Sequence, residues 1–112
     1  MELTIERDDN ALTASVNGRI DSTNARDFEE AIRTKIEDGD RAVIMDFENL
    51  SYISSAGLRA VLMTAKTLWK RDAKFALCSL SGPVKEVFEI SGFDKIIPIH
   101  DTREGALSSL DN

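Results

Sequence analysis

The 112-residue chain contains one histidine, His100, and one cysteine, Cys78. A lone histidine leaves no Ser-His-Asp triad and no histidine-rich metal site, and Cys78 with His100 is too small a donor set for zinc. A lone cysteine excludes an internal disulfide and suits a reducing cytoplasm, where the chain is expected to reside. The neighbours Ala76 and Leu77 mark Cys78 as a buried small hydrophobe rather than a nucleophile. No apolar run approaches the ~20 residues of a membrane span. Met1-Glu2-Leu3-Thr4 lacks the basic and apolar regions of a signal peptide, so none is expected. The phosphate-cradling patterns G-x-x-x-x-G-K-[ST] and G-x-G-x-x-G do not occur. Positive charge is scarce: 14 Lys and Arg stand against 20 Asp and Glu, for a net charge of −6. That balance argues against nucleic acid or an anionic membrane as a partner and fits contact with a basic protein surface. No cofactor and no metal are expected.

What is present is enough for a folded core. An apolar share of 42% beside 30% charged residues predicts a single domain over residues 1–112. Leu3 to Arg7 and Ala11 to Asn17 both alternate apolar and polar residues about the turn signal Asp8-Asp9-Asn10, predicting a hairpin. Asp21-Ser22-Thr23-Asn24 is rich in capping residues and opens a first helix striped by Ala25, Phe28, Ile32 and Ile36, with Gly39 as its stop. Arg41 to Phe47 is a near-continuous apolar run, predicting a strand buried on both faces. Glu48 to Ser51 reads as a link. A second helix runs from Ser55 to Lys70, with Leu58, Val61, Leu62, Ala65, Leu68 and Trp69 facing the core. Lys74 to Leu80 is the next strand, and Pro83 and Gly92 bracket a third helix carrying Val84, Val87 and Phe88. Ile96 to Ile99 predicts a short strand restricted by Pro98. A last, peripheral helix spans Thr102 to Leu110. This order predicts an α/β fold: a five-stranded mixed sheet, its opening hairpin followed by parallel strands, packed with about four helices.

The segment Tyr52-Ile53-Ser54-Ser55-Ala56-Gly57-Leu58-Arg59 joins the central strand to the second helix. A serine here has a common role as N-cap, accepting a hydrogen bond from a free backbone N–H. It has an alternative role as a phosphate acceptor, because the same N–H groups and the helix dipole receive an anion. On the outward face of that helix Met63 stands among Arg59, Lys66 and Lys70, an apolar residue where a solvated face needs none. Asp21 and Asp46 each sit at a strand's end, where ligands of open α/β sheets tend to bind; capping and turn formation are the ordinary roles there.

Three motifs in order carry a resemblance to a known family. They are Gly18-Arg19-Ile20-Asp21, then Asp46-Phe47 with Leu50 to Leu58, then Val84 to Gly92 with Asp94-Lys95-Ile96-Ile97. Almost the whole chain resembles the STAS domain, specifically the stand-alone bacterial anti-sigma factor antagonists. The central motif of that family reads Asp-Ser-Ser-Gly or Asp-Ser-Thr-Gly, and the serine after the aspartate is phosphorylated. Aligned on Gly57, that serine is Ser55; the family's aspartate falls on Ser54, which leaves Ser54 as a competing acceptor, and its second hydroxyl on Ala56. The resemblance implies a non-enzymatic partner switch. The unmodified protein binds a serine-kinase anti-sigma factor of the histidine-kinase-like ATPase type, phosphorylation of Ser55 releases it, and a PP2C-type phosphatase restores binding. A monomer is expected, with a partner surface of Asp21, Ser22, Thr23, Ser54, Ala56, Gly57, Arg59 and Met63. Two other functions fit the residues less well: an enzyme using a crevice near Asp21, Asp46 and Ser55, and a passive docking module of a transport or signalling complex.

Overall fold

The computed structural model describes residues 1–8 and 11–110; Asp9 and Asn10, the centre of the expected hairpin turn, lie outside them. Strand β1 (Glu2–Asp8) pairs antiparallel with β2 (Ala11–Ile20), Ile5 opposite Ala14 and Leu3 opposite Val16. Helix α1 (Ala25–Lys35) crosses to β3 (Ala42–Asp46), which runs parallel to the first half of β2. Strand β4 (Leu50–Ile53) then pairs parallel with the last residues of β2. Helix α2 (Ser55–Lys70) returns the chain to β5 (Lys74–Cys78), which lies beside β3. Helix α3 (Gly82–Ser91), a short 3-10 turn at Phe93–Lys95, β6 (Ile99–His100) and α4 (Arg103–Leu110) complete it. The sheet order is β1-β2-β3-β5-β6, with β4 attached to β2. The expected five-stranded path is present, opening hairpin first and the rest parallel. No helix among the described residues is long and apolar enough to cross a membrane.

Alternation along the strands sends side chains to two faces. Leu12, Ala14, Val16, Val43, Met45, Phe75 and Leu77 join Phe28 and Ile32 of α1, Leu58, Val61, Ala65 and Leu68 of α2, and Val84 and Phe88 of α3 in one core. The Phe47 and Phe88 rings meet at 6.4 Å, tilted by 43°, within the range of favourable aromatic pairs. Ile44 and Cys78 point the other way and are covered by Ala106, Leu107 and Leu110 of α4. Burial on both faces explains why every residue of β3 is buried.

Several expectations are corrected. The link at Glu48–Ser51 becomes strand from Leu50; only Leu50 and Ile53 of β4 are buried, too short a run for periodicity to register. Helix α1 ends at Lys35 with Ile36 extended at ψ 129°, before Gly39. The Arg7 guanidinium donates to the Lys35 carbonyl, and the Asp40 carboxylate accepts the Glu37 N–H at 2.8 Å, so polar side chains turn the chain where glycine was expected to. The last strand begins at Ile99 rather than Ile96, since the 3-10 turn uses the preceding residues and Pro98 has no N–H to give a ladder. Trp69 is half-exposed at the edge of the α2 stripe. Helix α4 is not peripheral: it covers the second face, and Arg103 donates to Asp46 at 3.0 Å, forms an ion pair with it at 2.9 Å and donates to Ser15 at 2.8 Å.

The buried Asp40 carboxylate accepts both Arg7 donors, at 3.0 and 3.1 Å, while Arg71 donates to the Glu37, Asp38 and Asp40 carbonyls. The Arg7 hydrogen bonds hold the Asp40 carboxyl below its usual range. A depressed pKa stabilises the fold above the unfolded value of about 3.9, and that contribution is lost as pH falls through the folded value. Asp40→Ala is expected to cost about 1–3 kcal/mol near neutral pH by leaving donors unpaired. Urea titrations should show the gap to the wild-type chain constant down to about pH 5 and shrinking below about pH 4.

Candidate functional site

The site forms where β2 and β4 end together. Asp21, the first residue past β2, organises its loop. Its carboxylate accepts the Thr23 hydroxyl and the Thr23 N–H at 2.9 Å. These bonds, the hydroxyl first, hold the Asp21 carboxyl below its ordinary range. The Asp21 N–H donates to the Asn24 side-chain oxygen at 2.9 Å, and the Asn24 amide donates to the Arg19 carbonyl. The backbone oxygen of Asp21 accepts the Ala25 N–H at 2.9 Å, so the turn leads directly into α1.

Ser54 closes β4 against this loop, its N–H donating to the Ile20 carbonyl at 2.9 Å. With φ −89° and ψ 174° it is the N-cap of α2, and its hydroxyl accepts the Gly57 N–H at 3.2 Å. Ser55 is the first helical residue and is exposed; its hydroxyl has no hydrogen-bond partner among the described residues. The two serines are thus distinct: one oxygen is occupied by capping and the other is free.

Gly57 sets how closely α2 approaches the strands. A Cβ there would lie 2.7 Å from Cγ1 of Ile53 and 2.8 Å from Cγ2 of Ile20. Both isoleucines are buried, and carbon atoms cannot stand at such distances without one of them moving. A groove of about 950 Å³ opens between the starts of α1 and α2, lined also by Ser91 at the end of α3 and by Phe93. The expected residues Ser22, Ser55, Ala56, Arg59 and Met63 line it together. Asp21, Thr23, Ser54 and Gly57, also expected on the partner surface, do not line it; they lie next to Ser22, Ser55 and Ala56 in the chain.

Asp46 belongs elsewhere. It projects to the α4 face, where Arg103 and the Glu48 N–H use its oxygens, so the structure does not assemble Asp21, Asp46 and Ser55 in one crevice. Cys78 is buried, and desolvation pushes its thiol up to about 11, leaving it protonated at neutral pH. Among the described residues no group of three or more His, Cys, Asp or Glu side chains is placed to hold a metal ion. The sequence reading missed Arg26, Glu29, Ser91 and Phe93 on the groove. It also missed Arg19, whose guanidinium stacks on exposed Tyr52 at 4.4 Å from the ring centre. Arg26 and Glu29 follow Ser22 at near-helical spacing and were recoverable once α1 was known to flank the serines; Ser91 and Phe93 arrive from a distant segment with no local signal.

The sequence pattern of the STAS domain matches residues 2–106. BtrV of Bordetella bronchiseptica, named as an anti-sigma factor antagonist, is 42% identical over 109 residues, covering 97% of this chain and 94% of that protein. The anti-sigma-B factor antagonist of Staphylococcus aureus is 28% identical over 106 residues, covering 93% and 98%. The crystal structure of an anti-sigma factor antagonist from Mycobacterium paratuberculosis superposes with a TM-score of 0.91 at 25% identity, covering 99% of this chain and 94% of that one.

The Gly57 contact is tested by Gly57→Ala. The added methyl group should destabilise the chain by about 1–3 kcal/mol, the usual cost of overpacking, read as a lower urea midpoint. An unchanged midpoint would mean that the start of α2 lifts freely from Ile20 and Ile53.

Proposed function

The chain belongs to the STAS-domain family, among its anti-sigma factor antagonists, and from that premise we propose that it is a non-enzymatic partner switch controlled by phosphorylation of Ser55. As a single domain over residues 1–112 acting in the cytoplasm, it binds a serine-kinase anti-sigma factor of the histidine-kinase-like ATPase type. Binding displaces what that kinase was holding; transfer of phosphate to Ser55 ends the complex, and a PP2C-type phosphatase renews it. The observation that carries this reading is the free, exposed Ser55 hydroxyl on the wall of a groove shared with Ser22, Ala56, Arg59 and Met63.

The physics of release is local. Phosphate brings about −1.5 to −2 charge and three acceptor oxygens to a surface packed against a partner. A loss of about 1.4 kcal/mol is already tenfold in affinity. The fold tolerates the group, because N–H donors of the first turn and the helix dipole offset part of its charge, and that turn carries no acidic residue. Ser54 is the weaker acceptor: modifying its oxygen would remove the cap on Gly57 N–H. The flanking small residues permit close approach, and Met63 supplies an adaptable apolar contact.

Incubation with ATP and a candidate serine kinase of the histidine-kinase-like ATPase type should place phosphate on Ser55, read by peptide mass spectrometry. Ser55→Ala should bind that kinase and resist release. Ser55→Asp should bind about tenfold more weakly or worse, with a melting temperature close to that of the unmodified chain. Phosphate on Ser54 would move the site and keep the mechanism. A chain never phosphorylated, whose Ser55→Asp form binds as well as the wild type, would leave a passive docking module instead.

A further inference from the structure

Three methionines and one cysteine hold all the sulfur of the chain. Met45 and Cys78 are fully buried, whereas Met63 is 41% exposed and Met1 45%. Met1 packs near Gly18 and does not line the groove. Met63 is therefore the one oxidisable sulfur on the surface that also carries Ser55. We infer that Met63 is an oxidation-sensitive position of the partner groove, whose conversion to the sulfoxide by a peroxide releases the partner independently of Ser55. The inference rests on the partner-switch reading above.

The step balances simply. The thioether sulfur attacks one oxygen of hydrogen peroxide; an S–O bond forms, the O–O bond breaks, sulfur loses two electrons and the second oxygen leaves as water. The product exchanges a flexible apolar tip for a polar one, which a packed interface accepts only with a compensating donor. The free chain offers such a donor away from the interface. Beneath Met63, between α1 and α2, lies a cavity of about 120 Å³ whose charged lining residues are Glu29, Arg33 and Arg71, the last already donating to the Glu37, Asp38 and Asp40 carbonyls. The Thr64 and Thr67 hydroxyls are spent on the Ala60 and Met63 carbonyls. Arg33 makes no ion pair among the described residues. A sulfoxide oxygen turned inward toward Arg33 would be satisfied in the free protein and lost to the groove. Met63 borders both spaces, so one side chain can serve either.

The test uses the whole chain, brought to about half oxidation of its exposed methionines with hydrogen peroxide and then mixed with a limiting amount of the histidine-kinase-like ATPase that phosphorylates or binds the unoxidised chain. Bound and free fractions are separated and their peptides compared by mass spectrometry. Met63 sulfoxide should be depleted about tenfold in the bound fraction, Met1 sulfoxide should be distributed equally, and methionine sulfoxide reductase should restore binding. Equal partition of Met63 sulfoxide, with binding by the unoxidised chain intact, overturns this inference alone. No binding by the unoxidised chain overturns the partner reading together with it.

Discussion

The seating of α2 on the ends of β2 and β4 is the contact on which the rest of the site depends. It exists because residue 57 has no side chain: a Cβ would fall inside the contact distance of both Ile20 and Ile53. The parallel pairing of Ile20 with Ile53 continues one step further, the Ser54 N–H donating to the Ile20 carbonyl, and this joins the end of β2 to the start of α2. Ser22 and Ser55, 33 positions apart in the chain, thereby line one groove. The helix is seated there on two buried isoleucines, Ile20 and Ile53.

Two ionic clamps hold the elements around that contact, and neither contributes a residue to the groove. Arg7, Asp40 and Arg71 gather β1, the loop after α1 and the end of α2. Arg103 fastens α4 to Asp46 and Ser15 on the opposite sheet face. In each a buried carboxylate is matched by guanidinium donors and by a backbone N–H, which is what makes a buried charge tolerable. The groove is thus free of the structural polar work done elsewhere, and its exposed side chains can be altered without loosening the fold.

How much of this could be read from the sequence follows the range of each interaction. Helix α2 was legible to the residue, Ser55 to Lys70, because its stripe is long and a capping serine marks its start. The hairpin strands and the doubly buried β3 were legible for the same reason. Strand β4 was not, because four residues with buried ends carry no period. Nor was the stop of α1, made by Arg7 from another strand while Gly39 lay nearby as a decoy. The role of α4 depends on Arg103, which meets Asp46 across 57 positions. At the site, Ser54, Ser55, Gly57 and Met63 stood out locally, whereas Ser91 and Phe93 reach the groove only through the packing of α3.

In the partner switch proposed above, the serine at position 54 would change the electrostatics rather than the architecture. The aspartate that the family pattern places there would cap the helix and also set a fixed negative charge beside the acceptor. Ser54 performs the same capping bond to the Gly57 N–H with a neutral oxygen, and no acidic side chain stands in the first turn. The unmodified helix start therefore keeps its positive end unneutralised, with Arg59 one turn further on. A phosphate on Ser55 would meet no neighbouring carboxylate at position 54, so its repulsion within the free chain would be smaller and the modified chain better tolerated in the folded state. Toward a partner, the same absence means that the sign of the helix start reverses on modification, from the positive end of a dipole to a dianion. A switch with that property needs no conformational change, because the surface keeps its shape and alters only what it attracts.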